Sequence, residues 1–122
     1  MANVCAALKY GLDFFWVGFY LVKNNQLVLG PFQGPVACTR INIGRGVCGT
    51  AWLKKETIIV QDVEKFEGHI ACSSLTKSEL VIPIYNNKNT VIGVLDLDSD
   101  ELNTFDKIDE SYLKEILTLL NL

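Results

Sequence analysis

Four cysteines, a single histidine and a pair of carboxylates spaced two apart are the residues of this 122-residue chain best suited to chemistry. Cys38 and Cys48 lie in the Gly-rich stretch "GPFQGPVACTRINIGRGVCGTAW", Cys72 closes "HIAC" after His69, and Cys5 sits in the first apolar stretch. Thiols placed this way can ligate a metal, pack as small hydrophobes or run a redox relay. A tetrahedral zinc site usually brings a close pair such as CxxC, and the spacings C-x9-C and C-x23-C offer none. A Cys–His nucleophile pair also needs a third residue to orient the base, and none is evident near His69. Cys72 falls in a polar loop and is expected to be exposed. Cys5, on an apolar helix face, is expected to be a buried hydrophobe. Cys38 in irregular chain fits either role. Cys48 stands near a helix start, where the dipole would favour the thiolate, but "GVCGTAW" could equally bury it.

The carboxylates come next. In "VLDLDS" strand alternation puts Asp96 and Asp98 on one face and Leu95 and Leu97 on the other. Such a pair ordinarily faces water. Glu79, however, closes the cysteine loop and begins the partner strand, so three acids can converge at one end of a sheet. Together they could bind an ammonium group, or supply a proton if burial raises one pKa. Trp16, Gly18 and Tyr20 share another strand face. That face is either core packing or an aromatic notch for a flat or methyl-bearing ligand. Notch, acids and loop cysteines together point to a small zwitterionic substrate and thiol redox chemistry.

These residues need elements to position them. Val4, Ala7, Leu8 and Leu12 have helical spacing, with Asn3 as a capping residue and Gly11 near the end. "FFWVGFYLV" and "LVLGPF" around "KNNQ" predict a hairpin over 14–32. "INI" at 41–43 predicts a short edge strand. "GVCGTAWLKKE" predicts a helix with Val47, Ala51 and Trp52 facing inward, followed by the strand "TIIVQDV". "EKFEGHIACSSLTKSE" has no period and predicts a long loop with one helical turn; loops of that length in compact domains are often functional. "LVIPIYNNKNTVIGVLDLDS" predicts a second hairpin. A closing helix begins at Thr104 or Asp106 and carries Phe105, Ile108, Tyr112, Leu113, Ile116, Leu117 and Leu120 as one apolar stripe. The order predicts an α+β fold: an antiparallel central sheet, with the helices mainly on one face. With no repeat, linker or low-complexity tract, residues 1–122 read as one domain.

Composition narrows the function classes. A net charge of −3 with scattered basic residues is a poor match to nucleic acid. No apolar run reaches the roughly 20 residues that span a bilayer. "MANVCAALKYG" lacks a secretory pattern. A cytoplasmic chain with reduced thiols is the expectation.

The segments "WVGFYLV", "LVLGPFQGPVACTRINIGRGVCGTA", "VQDVEKFEGHIACSS", "SELVIPI" and "VIGVLDLDS" closely resemble the free methionine-R-sulfoxide reductases, a family with the GAF fold. The likeness runs from Trp16 to Phe105 and continues more weakly through the last helix. It implies reduction of the R-epimer of free methionine sulfoxide, with Cys72 as nucleophile, Cys38 as the resolving thiol and Cys48 as an auxiliary thiol. Trp16 and Tyr20 match the aromatic substrate wall, and Glu79, Asp96 and Asp98 match the acidic binding and activating residues. Asp98 or Glu79 would protonate the sulfoxide oxygen while the remaining acids hold the ammonium. Backbone N–H groups around Ile70, Ala71 and Cys72 would take the substrate carboxylate. The cycle needs no metal and no organic cofactor; a thioredoxin-type reductant and a homodimer are the partners implied. Two departures stand out. The family carries a longer N-terminal helical segment, so that segment is either absent or truncated here. Ser73 follows Cys72 where the family has Asp. The rival reading is a GAF domain that senses a small molecule without chemistry; a zinc-stabilised interaction module is a third.

Overall fold

A computed structural model describes residues 1–70 and 72–120 of the chain. Helix α1 (Ala2–Leu12) leads into the hairpin β1 (Trp16–Lys23) and β2 (Gln26–Gln33). Strand β3 (Arg40–Asn42), helix α2 (Gly46–Lys54) and strand β4 (Ile58–Val60) follow. A single 3-10 turn (Val63–Lys65) opens the cysteine loop, and β5 (Ser78–Tyr85), β6 (Val91–Ser99) and α3 (Lys107–Leu117) complete the chain. The six strands form one sheet in the order β3-β2-β1-β6-β5-β4, with every neighbouring pair antiparallel. This is the α+β architecture expected, with β3 as the edge strand and one helical turn in the long loop.

The β1–β2 hairpin turns on Asn24 and Asn25, both at positive φ (50° and 63°). Asn tolerates this left-handed pair, whose twist matches that of the flanking strands. The β5–β6 turn is held by Asn86, whose Oδ1 accepts from Lys88 N (2.9 Å) and Thr90 N (3.0 Å).

The two sheet faces carry different layers. On one, Cys5 and Leu8 of α1 and Leu113 of α3 pack over Val17, Phe19, Leu80, Ile82, Leu95 and Leu97. Each fully buried Leu of this layer contributes roughly 1.5–3 kcal/mol. On the other, Val47, Cys48 and Ala51 of α2 cover Trp16, Tyr20, Val81 and Val94. Two of three helices thus share a face, and α2 alone covers the second. Gly49 allows that close approach: a Cβ there would lie 2.5 Å from Asn42 O.

Three local expectations are corrected. Helix α1 starts at Ala2 with Met1 at its cap, so Asn3 lies inside it, and Leu12 is exposed. Helix α3 takes Asp106, one of its two expected caps, in a reciprocal box with Asp109. Its predicted stripe is too wide. Ile108 and Tyr112 are exposed, because the helix meets the sheet through Leu113, Ile116 and Leu117, with Leu120 just beyond its end. Trp52 is only half-buried, although Val47 and Ala51 face inward as expected.

Candidate active site

Strand register brings the acids together. Glu79 on β5 pairs with Asp98 on β6, and Asp98 pairs with Trp16 on β1. One row across three strands therefore reads Glu79, Asp98, Trp16. The next row two residues on reads Val81, Asp96, Gly18, and Tyr20 follows on β1. Directly paired side chains stand about 4.5–5.5 Å apart at Cβ, so three carboxyls and two aromatic rings share one patch of the sheet. Helix α2 and the cysteine loop roof this patch. The pocket between them is lined by Trp16, Tyr20, Cys48, His69, Ile70, Cys72, Glu79, Asp96 and Asp98, and encloses about 50 Å³.

The roof decides the electrostatics. A pair of acids on a strand face would ordinarily titrate near 4 in water. Here burial, and then the charge of neighbouring acids, push Glu79, Asp96 and Asp98 well above the carboxylate range. Among the described residues, Asp96 Oδ1 and Asp98 Oδ1 are buried without a hydrogen-bond partner. Unpartnered buried oxygens are costly as anions, so the cavity favours either protons or a cation. His69 Nε2 lies 3.6 Å from Glu79 Oε1. Burial lowers the His69 pKa and raises that of Glu79, so it works against an ion pair here.

Cys38 and Cys72 are joined as a disulfide, their Cα atoms 5.6 Å apart. Cys72 is exposed and Cys38 half-buried. Two aromatic residues of β1 position the Cys38 segment: Tyr20 OH donates to Cys38 O (2.8 Å) and Trp16 Nε1 to Pro35 O (3.0 Å). A buried indole or phenol that finds a carbonyl satisfies its polar end while its ring packs. The same two rings stack on each other (centroids 6.0 Å apart), and Trp16 also stacks on Phe32 (5.4 Å). The aromatic notch over Gly18 is filled by the Trp16 indole itself, since a Cβ at Gly18 would strike its ring. Tyr20 and Trp16 are thus a solid wall and not an empty slot.

Cys48 departs from the helix-dipole expectation. It is buried on α2, and desolvation followed by the charges of Asp96, Glu79 and Asp98 raises its pKa well above an ordinary thiol. Cys5 is fully buried, its pKa pushed up to about 11 by desolvation, and its thiol donates to Pro31 O (3.3 Å). Ile70 lines the pocket, and its carbonyl accepts from Cys72 N (3.1 Å), so that N–H is occupied in the disulfide form. Ala71 lies outside the described residues.

Arg45, the N-cap of α2, and the buried Thr76 also line the pocket, although neither stands out in the sequence. The available signal for Arg45 was a cation between two glycines at a helix start. His69 was legible as a neighbour of Cys72 but not as a neighbour of Glu79, because that contact joins a loop to a strand.

The GAF domain family matches residues 1–121. The chain is 68% identical to GAF domain-containing protein A of Dictyostelium discoideum, over 99% of this chain and 77% of that protein. It is 47% identical to the free methionine-R-sulfoxide reductase of Escherichia coli, over 98% of this chain and 73% of that protein. Among solved structures it is similar to the free methionine-R-sulfoxide reductase of Neisseria meningitidis in complex with its substrate. The TM-score is 0.94 and the identity 53%, covering 97% of this chain and 71% of that one.

Proposed function

We propose that this chain, which belongs to the free methionine-R-sulfoxide reductases, a family of GAF-domain proteins, reduces free L-methionine R-sulfoxide to methionine by a cysteine thiolate, sulfenic acid and disulfide cycle. The observation that carries this reading is the Cys38–Cys72 bond at the mouth of a pocket of buried acids.

Cys72 is the nucleophile. As thiolate it attacks the sulfoxide sulfur, and a protonated carboxyl gives its proton to the sulfoxide oxygen. Asp98 and Glu79 suit that donor role, since burial keeps protons on both well above the usual carboxylate range. The oxygen passes to sulfur of Cys72, methionine departs, and Cys72 is left as sulfenic acid. The Cys38 thiol then attacks that sulfur, forming the disulfide and releasing the oxygen as water. In sum, one sulfoxide and two thiols give one methionine, one disulfide and one water. A dithiol of the thioredoxin type restores both thiols by exchange, in the cytoplasm. Cys48 stays a neutral thiol beside Asp96 and serves as an auxiliary wall of the site.

Asp96 and the remaining acids hold the substrate ammonium, and its methyl lies against Trp16 and Tyr20. Its carboxylate meets Arg45 and the backbone N–H of Ile70. The enclosed space of about 50 Å³ holds only a few waters, well short of an amino acid. Substrate therefore needs more room than the disulfide form offers. A pocket that must satisfy both free charged ends of an amino acid rejects the same side chain within a peptide. The test is a coupled assay with thioredoxin, its reductase and NADPH. Consumption of NADPH with the free R-epimer, and none above background with the S-epimer or a sulfoxide-containing peptide, is expected. Equal rates with the peptide would overturn the specificity.

A further inference from the structure

A second capability is written into the floor of the same pocket. Among the described residues, Cys48 Sγ, one Glu79 oxygen and one Asp96 oxygen lie within 4.8 Å of one another, and all three residues are buried. Asp96 is 5% exposed, lines the pocket, and its Oδ1 has no hydrogen-bond partner among the described residues. Three donors at that spacing need to close by about an ångström to surround an ion at zinc–oxygen and zinc–sulfur distances of roughly 2.0–2.3 Å. The whole pocket of the disulfide form, about 50 Å³, has room for an ion and a water.

We infer that the disulfide form binds one divalent zinc-type cation through Cys48 Sγ, Glu79 and Asp96, with water in the fourth position. One thiolate and two carboxylates suit a borderline-soft ion better than magnesium or calcium, which take oxygen alone. The thiol proton leaves to solvent as the metal–sulfur bond forms. Cys38 and Cys72 take no part, since their sulfurs are bonded to each other. The site stands on geometry and does not depend on the reductase chemistry.

Cobalt(II) is the probe, because a thiolate ligand gives it a sulfur-to-metal absorption band. The oxidised wild-type protein is first checked to carry two free thiols, Cys5 and Cys48. Titration with cobalt should then give a saturable band at one equivalent, which zinc abolishes by displacement. Cys5→Ser should keep the band and Cys48→Ala should lose it. Asp96→Asn should keep sulfur ligation but weaken affinity. Even outer-shell partners cost roughly 10–100-fold when removed, so loss of this ligand should cost at least about 10-fold. Absence of a band in wild type, or its survival in Cys48→Ala, would overturn the site. If Cys48→Ala fails to fold, an Asp96→Asn affinity equal to wild type overturns it instead.

Discussion

Cys72 and Cys48 show how one side chain takes two chemistries from its surroundings. Cys72 is exposed and bonded to Cys38, whereas Cys48 is buried against acids that raise its pKa. A thiol must ionise to attack, and the nucleophile proposed above is the exposed one. Cys72→Ser should therefore reduce methionine formation to background in the coupled assay. Cys5→Ser should leave the rate within about twofold, since a serine hydroxyl can donate to Pro31 O as the thiol does. Comparable rates for wild type and Cys72→Ser would place the chemistry elsewhere.

At the scale of elements, the pocket is a consequence of register and of one close helix–strand contact. The rows joining Glu79, Asp98 and Trp16 follow from pairing across β5, β6 and β1. A slip of one residue would send the acids to the opposite, leucine-lined face. The contact between α2 and β3 is equally exacting. Gly49→Ala would push a methyl against Asn42 O, and overpacking of this kind costs about 1–3 kcal/mol. A urea midpoint lowered by that cost divided by an unchanged slope is expected; an unchanged midpoint would mean the helix can retreat freely.

Much of this was legible in the residues. Strand alternation separated Asp96 and Asp98 from Leu95 and Leu97, and two asparagines marked the first hairpin. What no local pattern carries is which segment covers which face. The two readings of Cys48 could be decided only once α2 was seen to lie over the acids. The exposure of Ile108 and Tyr112 likewise depends on the angle at which α3 meets the sheet. Trp16 read as one side of a notch, while the structure lays its ring across Gly18. The contact of His69 with Glu79 depends on a loop path that periodicity does not encode.

For the molecule as a whole, the same buried groups set stability. Glu79, Asp96 and Asp98 have folded-state pKa values above their unfolded ones. Above about pH 4 the unfolded chain releases these protons first. Their contribution is thus complete at acid pH and lost as pH rises through the folded values. Glu110, held low chiefly by its hydrogen bond to Lys114, acts in the opposite sense but only below the ordinary carboxylate range. The ligand-free protein should show a melting temperature that declines from mildly acid towards alkaline pH, with a flatter profile in Asp98→Asn. A profile that rises through neutrality would mean these acids are ionised and paired. The disulfide adds a second term. It joins residues 34 apart, and closing a loop of that length in the unfolded chain is worth about 3–4 kcal/mol in the entropic picture. Reduction by dithiothreitol should lower the melting temperature accordingly.

The most direct measurement is a single turnover without any external reductant. Fully reduced protein is mixed with free L-methionine R-sulfoxide, and methionine and protein thiols are counted together. One methionine per chain, the loss of two thiols, and a peptide map joining Cys38 to Cys72 are expected, with no methionine formed from the S-epimer. Methionine formed without loss of thiols, or a full yield when Cys72 is blocked beforehand, would contradict reduction by this cysteine pair.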